Sequence, residues 1–141
     1  MKIKHSSDSR LIRLERGEEV IKSLTEFTLD NQIAGAFFHG LGGASSASLG
    51  IYRLSEDKEY HFTDFEGDLE IISMNGNIST NEDGEIMIHC HSSISGNDLR
   101  AYGGHVKSLV VAGTCEIFVD VHMGALQRKL DQDIGLKLLD L

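Results

Sequence analysis

A chain of 141 residues can bury one core of ordinary size, and it reads as a single domain spanning residues 1–141. With 40% hydrophobic and 25% charged residues, and no apolar run near the roughly 18 to 20 residues that cross a bilayer, it is expected to be globular, cytoplasmic and without membrane contact. A formal net charge of −9 repels a phosphate backbone, so DNA is a disfavoured partner.

The opening "MKIKHSSDSR" lacks the apolar centre of a secretion signal. Lys2, Lys4, Arg10, Arg13 and Arg16 make it basic despite Asp8 and Glu15, and a solvated surface strip is the expectation. Ser9 to Leu14 reads as a short strand. From Glu18 to Asn31, Val20, Ile21, Leu24, Phe27 and Thr28 recur at helical spacing, with Glu18 and Glu19 in the first turn where the helix dipole favours anions.

Beyond Ile33 the texture changes to short apolar runs: "IAGAFFHG", "SASLGIYRL", "EYHFTDF", "LEIISMNGNIS", "GEIMIHCHSS", "VKSLVVAG" and "TCEIFVDVHM". Such runs predict strands of a mainly antiparallel sheet. The Asn-Gly of "MNGNI" and the "NEDGE" segment predict turns. Cys90 and Cys115 lie inside apolar runs and read as buried, reduced thiols. In the tail, Ile134, Leu136 and Leu138 alternate as in a strand, which covers either the core or a partner subunit.

Three of the seven histidines fall in "HCHSSISGNDLRAYGGHV". Residues i and i+2 of a strand share a face, so His89 and His91 can aim at one point while Cys90 faces away. The intervening residues have a loop composition, and His105 is expected to open the next strand. If that strand lies beside the first, three imidazoles converge. Such a set leaves one position of a tetrahedral zinc open, and Gly103 and Gly104 allow close backbone approach. Unrelated polar positions on a solvent face are the competing explanation.

Other residues have weaker claims. Glu70 is a candidate catalytic base if it reaches the histidines, and Glu116 is read as solvent-facing. His39 precedes "GLGGASS", which lacks the Lys-Ser/Thr ending of a phosphate loop. His5, His61 and His122 have no recommending neighbours. Arg100 could clamp a carboxylate ligand beside a metal, but a rim salt bridge with Asp98 is the favoured explanation, and Ser92 and Ser93 could hydrogen-bond a water near the histidines.

Taken in order, "FFHGLGGASSASLGIYRL", "GDLEIISMNGNIS", "IMIHCHSSIS", "YGGHV" and "CEIFV" resemble the PPC domain (DUF296) of plants and prokaryotes, over about residues 9–123. The resemblance implies an α/β (α+β) fold, mainly antiparallel sheet with one major flanking helix, assembled as a homotrimer. Acetolactate decarboxylases have a similar fold. It further implies zinc or another divalent transition metal held by His89, His91 and His105. The family's label of DNA-binding transcriptional regulator loses its carrier here, because the Arg-Gly-Arg-Pro AT-hook element is absent and the chain has no proline. The expected function is a metal-binding trimer that binds or acts on a small molecule. A DNA-associated regulator using the basic N-terminal segment is the alternative, and a structural metal stapling Ser92 to Gly104 is a third.

Overall fold

The computed structural model describes residues 1–6, 9–122 and 124–141. Asp8 of the basic segment and Met123 of the last predicted long strand lie outside them. In chain order the elements are β1 (Lys2–His5), β2 (Ser9–Glu15), α1 (Val20–Asp30), β3 (Ala36–Tyr52), β4 (Tyr60–Thr80), β5 (Ile86–Ser95), β6 (Ala101–Val121), β7 (Arg128–Leu130) and β8 (Lys137–Leu139).

The helix forms where the 3.6-residue pattern predicts it, with Val20, Leu24, Phe27 and Thr28 buried. Its start lies later than expected because Glu19 is the cap rather than part of the first turn. That carboxylate accepts the backbone N–H groups of Ile21 and Lys22, and that of Leu109 on β6 at 3.0 Å. One side chain therefore both satisfies orphan donors of the helix and fastens it to the sheet.

The predicted short strands fuse into long ones. β3 runs for 17 residues and β4 and β6 for 21 each. The glycines that suggest breaks instead accommodate bulges and close contacts, as at the register shift between Gly40 and Gly42. The Asn-Gly of "MNGNI" is no turn. Asn75 and Gly76 lie inside β4, paired with His91 and Cys90, and a Cβ on Gly76 would come within 2.2 Å of the His89 carbonyl oxygen and 2.3 Å of the Phe38 ring. Tertiary packing thus overrides the local turn signal. "NEDGE" does turn: Asn81 Oδ1 accepts the N–H groups of Asp83 and Glu85, and Gly84 takes a φ of 78°.

Six strands form one sheet in the order β1-β2-β6-β3-β4-β5, and β6 additionally pairs with β5. That pairing closes β3, β4, β5 and β6 into a ring of strands. Cys90, Ile94, Val106, Leu109 and Ile117 point inward to the core that α1 covers. Fully burying each Leu or Ile contributes roughly 1.5–3 kcal/mol. β7 and β8 make a separate hairpin, so the predicted strand of the tail is realised only over Lys137–Leu139. The hairpin is tied back by Tyr52 Oη donating to the Ile134 carbonyl at 2.7 Å and Lys58 Nζ to that of Asp133 at 2.6 Å. Among the described residues no helix is long and apolar enough to cross a membrane.

Candidate metal centre

Strand alternation sorts β5 into two sides. Cys90, Ser92 and Ile94 are buried, while His89 and His91 face outward. β6 begins at Ala101, so "YGG" is strand rather than loop, and the β5–β6 connection shrinks to residues 96–100. This register sets His105 directly opposite His91, with Gly104 opposite Ser92. Residues so paired hold their Cβ atoms about 4.5–5.5 Å apart. His89, two residues back on β5, completes the group.

The ring centroids are 5.1 Å apart for His89 and His91, 5.4 Å for His89 and His105, and 5.5 Å for His91 and His105. One nitrogen from each ring lies within 4.8 Å of the others. Gly104 makes the approach possible. A Cβ there would come within 2.6 Å of the Gly50 carbonyl oxygen on β3, at the corner where β6 passes from β5 to β3.

The surroundings favour the neutral form of two of these imidazoles. Burial, reinforced by His89 and then His91, pushes His105 down to about 4. Burial followed by the Arg128 guanidinium and His91 lowers His89. Neutral imidazole is the form that offers a lone pair to a metal. The Nδ1 of His105 is buried and has no hydrogen-bond partner among the described residues, an orphaned acceptor or donor that a ligand would satisfy. Three imidazoles without a carboxylate suit zinc or another divalent transition metal and not calcium or magnesium.

A roof covers His89 and His105 and leaves His91 exposed. Tyr60 packs on the His105 ring at 4.5 Å between centroids, and Arg128 Nη2 donates to His89 Nδ1 at 3.2 Å. Leu136 and Leu138 of the tail hairpin join them around a cavity of about 220 Å³. The sequence reading did not single out Tyr60 or Arg128. The alternation of Leu136 and Leu138 was the available signal that the tail covers something.

The remaining candidates sit elsewhere. Glu70 is exposed on β4 and pairs with Gly43 and Ser95, lining a groove with Gly42 and Gly113. It is five residues along β4 from Asn75, the partner of His91, or roughly 16 Å at strand rise, so the fold does not bring it to the histidines. Ser92 is buried on the opposite side and donates to the Ser73 carbonyl, which removes it from the cluster. Asp98 accepts the backbone N–H of Arg100 and the Tyr102 hydroxyl, and no side-chain ion pair joins it to Arg100 among the described residues. Glu116 is exposed, and His39 stacks on Phe118 at 5.3 Å in a different groove. Burial pushes Cys90 and Cys115 up to about 12, so neither is a ready thiolate ligand.

The fold has relatives among solved structures. A metal-containing protein from Archaeoglobus fulgidus, AF0104, is 31% identical with a TM-score of 0.85, and the match covers 100% of both chains. A protein of Ralstonia eutropha JMP134, named for a proposed DNA-binding role, is 30% identical with a TM-score of 0.92, covering 99% of this chain and 96% of that one. Acetolactate decarboxylase from Bacillus subtilis subspecies spizizenii shares the fold alone, at 16% identity and a TM-score of 0.62 over 96% of this chain and 62% of the enzyme. No curated protein matches significantly. Residues 1–122 match the Plants and Prokaryotes Conserved domain, and the chain belongs to that family.

Proposed function

We propose that the protein is a divalent-metal protein whose three-histidine centre, occupied by zinc, binds or acts on a small molecule beneath the tail hairpin. The observation that carries this reading is the convergence of His89, His91 and His105 with one nitrogen each within 4.8 Å. The similarity to a metal-containing protein supports it. When bound, a cation held by three imidazoles supplies Lewis acidity at its remaining coordination position. The chain's own residues then orient and enclose: Tyr60 fixes the His105 ring, and the hairpin shields one side from water. The free, buried thiols fit a reducing, cytoplasmic compartment.

Elemental analysis of the untagged protein tests the reading. One zinc per chain, lost in His89→Ala and His105→Ala variants that remain folded, is the expected result. Metal-free protein that takes up no zinc on titration overturns it. A structural staple is told apart by what happens on chelation: loss of melting temperature with small-molecule binding unchanged.

Homotrimer assembly belongs to the same proposal. Leu41, Ile72 and Phe118 are 57%, 50% and 46% exposed and border one groove on the outer side of the sheet, an apolar surface suited to subunit contact. Sedimentation equilibrium on wild type and Phe118→Asp checks it, with a trimer dissociating in the variant. The DNA-binding alternative draws on the basic segment, but Lys2 and Arg13 both pair with Glu15, at 2.8 and 3.2 Å. Absence of a shift with duplex DNA at about 50 mM salt removes that alternative, since electrostatic binding is strongest at low salt.

A further inference from the structure

Arg128 is 7% exposed, and no carboxylate among the described residues forms an ion pair with it. Its partners are all neutral. Nε donates to Ser79 Oγ at 2.9 Å, Nη1 to the Lys137 carbonyl at 2.7 Å, and Nη2 to Asn77 Oδ1 at 2.9 Å and to His89 Nδ1 at 3.2 Å. A guanidinium has five N–H groups, so among the described residues one on Nη1 stays free. A buried positive charge held only by neutral acceptors lacks the compensation that such charges ordinarily have. Arg128 lies beyond residue 122, outside the segment that matches the family.

The contact with His89 adds a condition. A neutral imidazole has a single acceptor nitrogen, and a guanidinium can only donate. Here that acceptor is Nδ1. If a cation takes the lone pair of His89 at either nitrogen, the other nitrogen must carry the proton or Nδ1 is already used, and in both cases Arg128 loses its acceptor. Metal binding at His89 and the Arg128–His89 hydrogen bond are therefore mutually exclusive. Two guanidinium donors are then left without partners beside the centre, on a charge that has no counterion among the described residues.

We propose that Arg128 is the anchor for a small monocarboxylate, bound in the roofed cavity cooperatively with the metal. Met87, Ile88, Leu136 and Leu138 give that cavity apolar walls, so the acid carries a short apolar body. At about 220 Å³ the space is below the roughly 300–1,000 Å³ of drug-sized pockets, which limits that body to a few carbons. A planar carboxylate can accept from a pair of guanidinium donors, and the apolar walls select an acid with an apolar body over an inorganic anion. The proposal rests on the three-histidine metal reading and adds to it the ligand class and the residue that selects it.

Isothermal titration calorimetry with isobutyrate, and with isobutyramide as the neutral isostere, tests this on the whole protein in zinc-loaded and metal-free forms. Isobutyrate is expected to bind the loaded form at least tenfold more tightly than the metal-free form. By linkage it raises zinc affinity by the same factor. The amide binds neither form. Arg128→Gln, checked for retained zinc, loses at least tenfold in isobutyrate affinity. Where that variant fails to fold, the wild-type Arg128 Nε–Hε NMR resonance takes its place, shifting with isobutyrate in the loaded form. No isobutyrate binding to zinc-loaded protein, equal affinity with and without metal, an unaffected folded Arg128→Gln variant or an unmoved resonance each overturns the carboxylate anchor. Failure of zinc uptake in the same experiment instead overturns the metal reading, so the two failures are distinct.

Discussion

The two sides of β5 differ in what they ask of a residue. Inward, Cys90 and Ile94 are fully buried in a continuous core; outward, the exposed His91 meets His89 and His105, which alone lie beneath a thin roof. Neighbouring positions in the chain therefore answer to different forces, packing on one side and donor geometry on the other. Stability and metal affinity should separate along the strand with a period of two.

Mutation can break that comparison if the separation is not real. Ile94→Ala and Leu109→Ala are expected to have the largest stability effect, a loss of about 2–5 kcal/mol in urea unfolding of metal-free protein, because each opens a cavity in the core. His91→Ala should change metal-free stability by about 0.5 kcal/mol or less, since the residue is exposed, while weakening zinc by at least about 100-fold in competition with a chromophoric chelator. Gly104→Ala straddles both sides: its new methyl group meets the Gly50 backbone, and about 1–3 kcal/mol of destabilisation accompanies weaker zinc binding.

A pH series sharpens the same contrast. With His105 held near 4 in the fold against an ordinary 6.5, the unfolded chain binds more protons between these values. Stability of the metal-free protein therefore rises with pH through that window and falls as acid is added from about 6.5 toward 4. His105→Gln flattens this slope in melting curves. The smallest effect is expected at Glu70, where Glu70→Gln leaves zinc affinity within about twofold, because the exposed carboxylate lies far along β4 from the rings.

Much of this was legible in the chain, for identifiable reasons. The helix announced itself through Val20, Leu24 and Phe27, whose spacing is set by its own geometry. The His-x-His pair was legible because strand alternation is local. What the chain concealed was everything decided by long-range contact. Gly76 looks like a turn until Phe38 and the His89 carbonyl press against it. β1 escaped notice because its Ile3 is patterned too weakly to signal a strand without β2 beside it. Arg128 stands 23 residues beyond His105 in a segment with no motif, and only the tail hairpin's fold brings it to His89.

β5 and β6 run together only from the pair His91–His105 to the pair Ser95–Ala101, and from there outward each strand follows another neighbour. The imidazoles thus stand at a fork, the point from which two hydrogen-bonded strands would begin to peel apart. A cation gripping both prongs, as proposed above, would act as a clasp on that split. Amide exchange along 101–105 is then where its arrival registers first, ahead of any change in the deep core.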